Sequence, residues 1–372
     1  ANGNRIIAAK GAPEAIIAVA ELPADEKKQI AAALDEMTKN GYRVLAVAET
    51  THAGKDFPKQ QQDFKFQFKG LVAFYDPPKK NISEVLRAFE KAGIAVKIIT
   101  GDNEATTRNI AAQIQFKDYD KSLGDKELDE QVMQVNIFTR MFPDAKLKVI
   151  EALKRNNEVV AMTGDGVNDG PALKSAHIGI AMGKKGTEIA KQASSMIITD
   201  DDMAKMVDAV AMGRRIYSNL KKAIQYIISI HIPIILTVFI PLALGWVYPN
   251  IFTPVHVIFL ELIMGPTCSI IYENEPMEKN IMLQKPRSLS NTFFNWRELM
   301  TSIVQGLAIT AGTIFIYRYA VGQGSNENVT RTMIFLTLIS ANVLLTLVNR
   351  SFYYSVITTS RYKNNLVVII IF

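Results

Sequence analysis

Two acidic turns that contain glycine carry the side chains best suited to chemistry. The first is Thr100-Gly101-Asp102, and the second is the string TGDGVND at 163–169. Both follow an apolar run and precede a helical pattern, which predicts that they lie where open α/β sheets bind ligands, at the carboxyl ends of strands. Threonine hydroxyls and the free N–H groups of helix N-termini suit phosphate oxygens, and paired carboxylates suit Mg²⁺. The shorter turn alone is also ordinary turn chemistry, so the longer string is the more specific indication.

The segments that must position these turns alternate between helix and strand patterns. Helical spacing, with proline or glycine near the ends, predicts helices at 22–41, 82–93, 104–114 and 147–157. Runs rich in β-branched and aromatic residues predict strands within 42–50, 68–78, 94–103, 158–169, 177–182 and 194–199. Strands that alternate with helices indicate a parallel sheet with crossover helices, so this part of the chain is expected to be an α/β domain.

Charge density divides the chain into two parts of different character. Of the 42 Lys and Arg and 36 Asp and Glu residues, only 9 and 6 lie after Lys222. The 38 residues that follow Lys222 carry no formal charge, and a turn-like segment at 246–254 divides them into two apolar segments. Further charge-free runs occupy 299–317, 332–349 and the residues from 364 onward. Since a spanning helix needs about 20 apolar residues, the second part is expected to be an integral, multi-pass membrane domain.

Basic residues occur in every second loop of this apolar part. They are Arg214, Arg215, Lys221, Lys222, Lys279, Lys285, Arg287, Arg297, Arg350, Arg361 and Lys363. Because loops rich in Lys and Arg stay in the cytoplasm, the charged part of the chain is expected to be cytoplasmic. The net charge of +6 is shared evenly between the two parts, which argues against nucleic acid as a partner. A single cysteine excludes a disulfide framework and a cysteine-based zinc site.

Five strings make the sequence similar to a known family. They are KGAPE at 10–14, DPP at 76–78, TGDN at 100–103, MTGDGVND at 162–169 followed by PALK, and GTEIAKQAS at 186–194. Together they resemble the P-type ATPases, and within that family the calcium-pump branch of cation pumps. The resemblance covers the whole chain. It implies a haloacid-dehalogenase-like cytoplasmic part with a Rossmann-like parallel sheet, followed by an all-α transmembrane helical domain.

The resemblance also implies a division into domains. Residues 1–66 would be the C-terminal part of the nucleotide-binding domain, 67–213 the C-terminal part of the phosphorylation domain, and 214–372 membrane helices five to eight with the start of nine. The family forms an acyl phosphate on the aspartate of a D-K-T-G-T motif, and this string does not occur in the sequence. The chain is therefore expected to be the C-terminal portion of a pump, with the missing N-terminal part as its partner and with no turnover of its own.

Site residues follow from the same resemblance. Lys10 would line the nucleotide site and Arg43 would contact the phosphates of ATP, while Asp76 would mark a hinge. In the phosphorylation site the implied catalytic residues are Thr100, Gly101, Asp102, Lys146 and Asn168. Asp165 would be the Mg²⁺ ligand, with Asp169 also assigned to the metal. Mg²⁺ and ATP are thus the expected cofactors, in keeping with phosphoryl transfer by positioning and charge neutralisation.

The membrane part departs from the calcium pumps at the positions that would bind the ion. Glu261 is the only carboxylate within the first apolar hairpin, and His231 and Asn342 fall at or near other ligand positions of the family. These three residues are the transported-ion candidates, because a buried ionisable group in a membrane is costly and usually functional. His231 is equally compatible with a packing role between helices. Gly265-Pro266 is expected to unwind the helix and expose carbonyl groups.

Two functions compete at this point. The favoured one is ATP-driven transport of a cation, with calcium first by family likeness, through an aspartyl-phosphate intermediate in the cell membrane. The alternative is a membrane-anchored pseudo-pump or phosphatase of the same fold that does not transport. The upstream sequence discriminates between them, since a D-K-T-G-T motif supports the first function and its true absence supports the second.

Overall fold

The computed structural model describes residues 4–53, 57–75, 77–123, 131–288 and 292–359, together with 361, 363–365 and 367. The chain divides into two compact units, Ala1–Val207 and Asp208–Phe372. The domain boundaries implied by the resemblance stay predictions.

The first unit begins with an antiparallel sheet of three strands in the order β1-β2-β3 (Asn4–Gly11, Arg43–Ala53 and Gln67–Phe74). Helices α1 (Pro13–Val19) and α2 (Ala24–Lys39) connect β1 to β2. At the start of β2, every second residue is buried, because one face of the sheet packs on α1 and the other does not. Ile16, Ala46, Ala48 and Phe66 form the small core on the covered face.

Two parallel sheets of three strands follow. One has the order β4-β6-β5, with β4 at Ile98–Ile99, β5 at Ser122–Leu123 and β6 at Ile137–Phe138; the other has the order β7-β8-β9, at Ala161–Gly164, Ile178–Met182 and Met196–Ile198. Helices α3 (Ile82–Lys91), α4 (Glu104–Gln113), α5 (Pro143–Arg155), α6 (Gly170–Ser175) and α7 (Glu188–Ala193) complete the unit. The predicted α/β fold with a parallel sheet is confirmed for this part of the unit, but the strands predicted within 42–50 and 68–78 lie in the antiparallel β1–β3 sheet.

The strand predicted within 94–103 is wrong in its length. Only Ile98 and Ile99 are in a strand, and residues 94–97 have no regular structure. Within the described part of the chain, β4 pairs only with β6, so it has backbone hydrogen bonds to another strand on one side only. The pairing extends only over Ile98 with Ile137 and Ile99 with Phe138, so the length of β4 is limited by the equally short β6.

One hydrophobic core joins the two parallel sheets. Phe138 of β6, Val149 and Leu153 of α5, and Met162 of β7 belong to a single buried cluster, against which Ile99 of β4 also packs. The side chains of α5 that reach this core recur at helical spacing, as the sequence pattern of 147–157 requires. Since β4 and β7 share this core, the two acidic turns at their ends belong to one body.

The second unit is helical. Its helices are α8 (Ala204–Ala243), α9 (Pro254–Ile258), α10 (Gly265–Glu273), α11 (Trp296–Gly322), α12 (Glu327–Val348) and the short α13 (Val356–Thr359). Three of them, α8, α11 and α12, are long and apolar enough to cross a membrane. The remaining apolar segment of the hairpin is helical from Pro254 to Glu273, but Phe259–Met264 is a π-helix. The run expected from residue 364 lies largely outside the described residues.

The expectation that Gly265-Pro266 unwinds this helix is wrong. The backbone N–H of Gly265 bonds to the carbonyl of Leu260, five residues earlier, and α10 begins at Gly265 without a break. Proline at 266 has no N–H and its ring excludes the carbonyl four residues before it from the usual ladder. A wider π-helical turn absorbs this mismatch and keeps the segment helical.

Glycine is required where α11 crosses α8. A Cβ atom on Gly306 would stand 2.7 Å from the Cβ of Ile232 and 2.9 Å from the carbonyl oxygen of Ser229. Pro233 lies inside α8 and donates no hydrogen bond, and the helix nevertheless continues through it. Small residues that permit close backbone approach are typical of helix contacts in membranes, so Gly306 fixes the α8–α11 crossing.

Candidate functional site

The TGDGVND turn is organised around the carboxylate of Asp169. Its Oδ1 atom accepts a hydrogen bond from Nζ of Lys146 at 2.7 Å, and its Oδ2 atom accepts bonds from the backbone N–H groups of Asp165 and Gly166 at 3.3 and 3.1 Å. The Lys146 and Asp169 side chains are only 17% and 9% exposed. A Cβ atom on Gly164 would stand 2.7 Å from that of Asp169, so this close turn needs glycine.

The other polar side chains of the turn face outward. Asp165 and Asn168 are exposed, and the Asp165 carboxylate makes no hydrogen bond or ion pair within the described part of the chain. The backbone carbonyl of Asp165 accepts a 2.8 Å bond from the N–H of Thr187, the residue that caps α7. The GTEIAKQAS segment therefore holds the backbone of the turn and leaves the Asp165 carboxylate available for a ligand.

The Thr100-Gly101-Asp102 turn is held from two sides. The backbone N–H of Asp102 donates to the Thr100 hydroxyl at 3.1 Å, and the N–H groups of Arg140 and Met141 donate to the carbonyls of Asp102 and Thr100 at 3.0 and 2.9 Å. The chain after β6 thus runs from this turn directly into α5, which carries Lys146. In this way β6 and α5 link the two acidic turns.

The two residues assigned to the nucleotide lie on the sheet of β1, β2 and β3. Lys10 pairs in register with Val47, and Arg43 starts β2, so both project from the face opposite the buried Ala46 and Ala48. Arg43 also approaches Asp102, with Nε 3.5 Å from Oδ1. Both side chains of that pair are exposed, so the contact positions Arg43 and adds little stability. Asp76 lies outside the described residues.

In the helical unit, His231 of α8 contacts Glu261 of the π-helical turn. Nε2 of His231 lies 3.2 Å from Oε2 of Glu261, and Nδ1 lies 2.7 Å from the carbonyl oxygen of Ile227. A carbonyl only accepts, so Nδ1 carries a hydrogen, and the histidine is oriented toward Glu261 by its own helix. The two side chains are 41% and 39% exposed, so a ligand could reach the pair.

Asn342 on α12 is the third transported-ion candidate. It is 1% exposed, and neither its amide nitrogen nor its amide oxygen has a hydrogen-bond partner within the described residues. On α12 it stands between Leu338, which packs with Ile234 and Leu260, and Leu345, which packs in the next layer. A buried amide without partners is costly, and such a group is a natural ligand for an ion or a water molecule.

Comparison with known proteins places these features in a family. Residues 5–177 match the model of the haloacid dehalogenase-like hydrolases, and residues 249–372 match that of the cation transporting ATPase C-terminus. A calcium-transporting ATPase of Lactococcus lactis is 33% identical over 97% of this chain, and one of Listeria monocytogenes is 32% identical over 94%. An endoplasmic reticulum-type calcium-transporting ATPase of Arabidopsis thaliana is 34% identical over 85% of the chain. The chain belongs to the cation-transporting P-type ATPases.

The P-type ATPase chain spans less than half of these relatives. The alignments cover 43% of the Lactococcus protein, 42% of the Listeria protein and 34% of the Arabidopsis protein. The activity, the substrates and the partners of a whole pump are therefore matters for proposal.

The residues of this P-type ATPase at the β7 turn fit Mg²⁺. No group of three His, Cys, Asp or Glu side chains that could hold a metal occurs among the described residues. Mg²⁺ does not need one, because it is usually held by one or two carboxylates together with substrate phosphates and water. Asp165 offers an exposed carboxylate with no partner in the part of the chain that the structure describes, whereas both oxygens of Asp169 are engaged by donors of the chain.

Sequence reasoning missed Asp201, which ties three segments together. Its carboxylate accepts 2.9 Å bonds from the backbone N–H groups of Lys184 and Lys185, its backbone carbonyl accepts from Nζ of Lys79, and the residue is 5% exposed. The N–H of Lys184 contributes most to holding the pKa of the Asp201 carboxyl below its ordinary value, and burial opposes this effect. The only sequence signal was the run of three aspartates at 200–202, which is equally typical of a solvated loop.

Sequence reasoning also missed two buried ion pairs in the helical unit. Nε of Arg350 lies 2.7 Å from Oε1 of Glu275, and Nζ of Lys222 lies 2.7 Å from Oε1 of Glu278. All four side chains are at most 5% exposed. The backbone carbonyl of Glu275 also accepts from Asn219 of α8. In the sequence Lys222 and Arg350 serve as orientation signals, and in the structure they fasten the segment after α10 to α8 and to the end of α12.

Proposed function

We propose that this chain forms part of an ATP-driven cation pump that works through an aspartyl-phosphate intermediate. The observation that carries the proposal is the contact between Lys146 and Asp169 at the end of β7, beside the Asp165 carboxylate, which has no partner among the described residues. A largely buried lysine next to an exposed carboxylate, at the carboxyl end of a parallel strand, supplies the charges that phosphoryl transfer requires. Calcium is the proposed cation, because the relatives named above are calcium-transporting ATPases.

In this proposal the two acidic turns hold the phosphoryl group from two sides. The Thr100 hydroxyl and the N–H of Gly101 bind its oxygens, and Lys146 neutralises charge on the attacking carboxylate. Asp165 holds Mg²⁺, with Asn168 beside it, and the bound ion supplies further neutralisation of the phosphate charge. Asp169 keeps Lys146 in place and shapes the turn through the N–H groups of Asp165 and Gly166.

The open edges of the two parallel sheets support the proposed N-terminal partner. Among the described residues, β4 and β7 are edge strands, and both pack on the same hydrophobic core. One further parallel strand with its own hydrogen bonds to both edges would unite the sheets, and its carboxyl end would lie between the two acidic turns. We assign that strand to the N-terminal part of the pump and the phosphorylated aspartate to its end.

ATP is the proposed phosphoryl donor. Lys10 and Arg43 share the uncovered face of the β1–β3 sheet, and Arg43 also approaches Asp102 of the phosphorylation turn. Two cationic side chains on one face of the sheet can bind the negatively charged phosphates of a nucleoside triphosphate. The contact with Asp102 gives this face a direct link to the catalytic turn.

The cation is proposed to bind at His231 and Glu261 in the membrane, with Asn342 as a further candidate ligand. The accessibility of the pair and the unpartnered amide of Asn342 support these roles. We place the protein in the plasma membrane. The three apolar helices support a location in a membrane, and the choice of the plasma membrane is part of the proposal.

The proposal is tested by phosphorylating the full-length pump with labelled ATP. Asp165→Ala is expected to abolish the phosphoenzyme, because the exposed carboxylate that holds Mg²⁺ is lost. Asp144→Ala, which removes an exposed carboxylate from the first turn of α5, is the matched control and should be phosphorylated normally. Normal phosphoenzyme in the Asp165 variant at ordinary Mg²⁺ would contradict the proposed role.

A further inference from the structure

The segment between α10 and α11, together with the first turn of α11, carries basic side chains that form no ion pair within the described residues. Its three acidic residues after α10 are each paired with a cation from another part of the unit: Glu275 with Arg350, Glu278 with Lys222, and Glu298 with Lys221. The segment's own basic residues are Lys279, Lys285, Arg287 and Arg297, and all four are exposed. None of the four forms an ion pair with a carboxylate among the described residues.

Large apolar side chains accompany these cations. Trp296 is 73% exposed and Leu283 is 68% exposed. Trp296 is the first residue of α11, since Asn295 caps the helix and accepts a bond from the N–H of Glu298 at 2.8 Å. The charge-free run of this helix begins three residues later, at Leu299. Trp296 therefore stands at the level where α11 enters the hydrocarbon region, which is the usual place of tryptophan in membrane proteins.

An aromatic cluster holds one of the basic side chains at the same level. The guanidinium of Arg287 lies 4.7 Å from the ring centre of Tyr217 on α8 and donates to its hydroxyl group. Tyr217 in turn donates to the backbone carbonyl of Phe293 at 3.2 Å, and the two rings are 5.3 Å apart. Nζ of Lys221, one turn further along α8, is bonded to Glu298 of α11 at 2.6 Å. Arg287 is thus fixed where α8 and α11 meet the membrane surface.

We propose that residues 277–288 and 292–297, the basic interfacial segment, bind the headgroups of anionic phospholipids. Charge complementarity selects this partner, because four cations that form no ion pair among the described residues lie beside apolar side chains at the membrane boundary. Basic residues close to a membrane surface attract anionic lipids, and exposed tryptophan and leucine place the segment within the interface. A protein partner could bind this surface only after lipid had been displaced from Trp296. A phosphate headgroup can contact the cations without any such displacement.

Tryptophan fluorescence tests the proposal directly. The chain has two tryptophans, so Trp246→Phe leaves Trp296 as the only reporter. The whole chain is reconstituted into vesicles that contain phosphatidylcholine and phosphatidylglycerol in a fixed ratio. Bromine is attached near the headgroup end of the acyl chains of one lipid or of the other. The anionic brominated lipid is expected to quench Trp296 more strongly, which corresponds to an enrichment of about two-fold or more around this residue.

Charge variants and raised salt test whether electrostatic attraction causes the preference for the anionic lipid. Exchange of Lys279, Lys285 and Arg287 for glutamine should remove the preference for the anionic lipid. Exchange of Lys27, Lys28 and Lys59, three exposed lysines of the first unit, is the matched control and should leave it unchanged. Raised ionic strength should remove the preference in the parent chain, which keeps the test decisive if the triple variant does not fold. Equal quenching by the two lipids, or a preference that survives the triple exchange or high salt, would overturn the proposal.

Discussion

Nζ of Lys146 on α5 lies 2.7 Å from Oδ1 of Asp169, and the opposite carboxylate oxygen receives backbone N–H bonds from Asp165 and Gly166. The lysine is thereby held at the carboxyl end of β7. Asp169 is only 9% exposed, so removal of its lysine partner would leave a nearly buried carboxylate and would lower the stability of the turn.

Loss of the lysine should loosen this turn. Lys146→Ala is expected to lower the local stability of β7 and α6 by about 2 kcal/mol, because Asp169 loses a charged hydrogen-bond partner. Hydrogen exchange of peptides that span 161–175 should then become about 30-fold faster. Lys148→Ala, an exposed lysine on the same helix, should leave the exchange rates nearly unchanged. Equal protection in the two variants would show that the ion pair does not stabilise the turn.

The stability of the first unit should depend on the ionisation of Asp201. Its pKa in the folded chain is lowered, first by the N–H of Lys184, so the folded state binds this proton less readily than the unfolded state. The resulting stabilisation is complete above about pH 4 and is lost as the pH falls through the lower folded-state pKa. Asp201→Asn should be less stable at neutral pH and should lose less stability on acidification below about pH 4.

Acid unfolding of the parent chain and of two variants measures this effect. Asp120→Asn exchanges an exposed aspartate in a turn of the same unit and serves as the control. It should follow the parent chain over the whole pH range. Parallel acid-unfolding curves for the parent chain and the Asp201 variant would refute the assignment.

The buried pair of Glu275 and Arg350 should show strong energetic coupling. Glu275→Gln or Arg350→Gln alone is expected to destabilise the helical unit by about 3–5 kcal/mol, because each removes the opposite charge that the remaining buried charge faces. The double variant should cost much less than the sum of the two, in thermal unfolding of the chain in detergent. Glu273→Gln, at an exposed position of α10, is the control and should have little effect. Additive losses would mean that the two charges act independently.

The topology predicted from the basic loops is accessible to labelling. In a Cys268→Ser background, Asn250→Cys should react with an impermeant maleimide in intact cells, because the loop after α8 carries no basic residue and is expected outside. Met277→Cys, in the exposed part of the basic interfacial segment, should react only after permeabilisation. The reverse pattern would overturn the orientation.

The elements of the first unit could be predicted because their signals are local. The periodicity of 147–157 and the turn at 163–169 depend only on neighbouring residues, and the structure has both, although the helix begins earlier, at Pro143, and ends at Arg155. The length of β4 could not be predicted in this way, because it depends on which strands pair with its edges. The contact of Lys146 with Asp169 spans 23 positions, and only the family resemblance gave a reason to place Lys146 in the site.

Long-range charge pairing was beyond the reach of sequence reasoning. Glu275 and Arg350 are 75 positions apart and meet only when α10 and α12 pack together. A basic residue in a loop looks the same in sequence whether it faces the solvent or neutralises a buried carboxylate. The counting of Lys and Arg residues gave an orientation, but it could not distinguish Arg350, which is buried, from Arg297, which is exposed.

ATP-dependent uptake of labelled Ca²⁺ by vesicles that contain the full-length protein tests the central claim most directly. The parent protein should take up Ca²⁺, and uptake should be lost in Glu261→Gln, which removes the carboxylate that contacts His231. Phosphorylation of the variant by inorganic phosphate should survive, since that site lies in the first unit. Glu273→Gln, on the helix that follows, should transport normally. ATP hydrolysis without movement of Ca²⁺ or of any other cation tested, or full uptake by the Glu261 variant, would contradict the account.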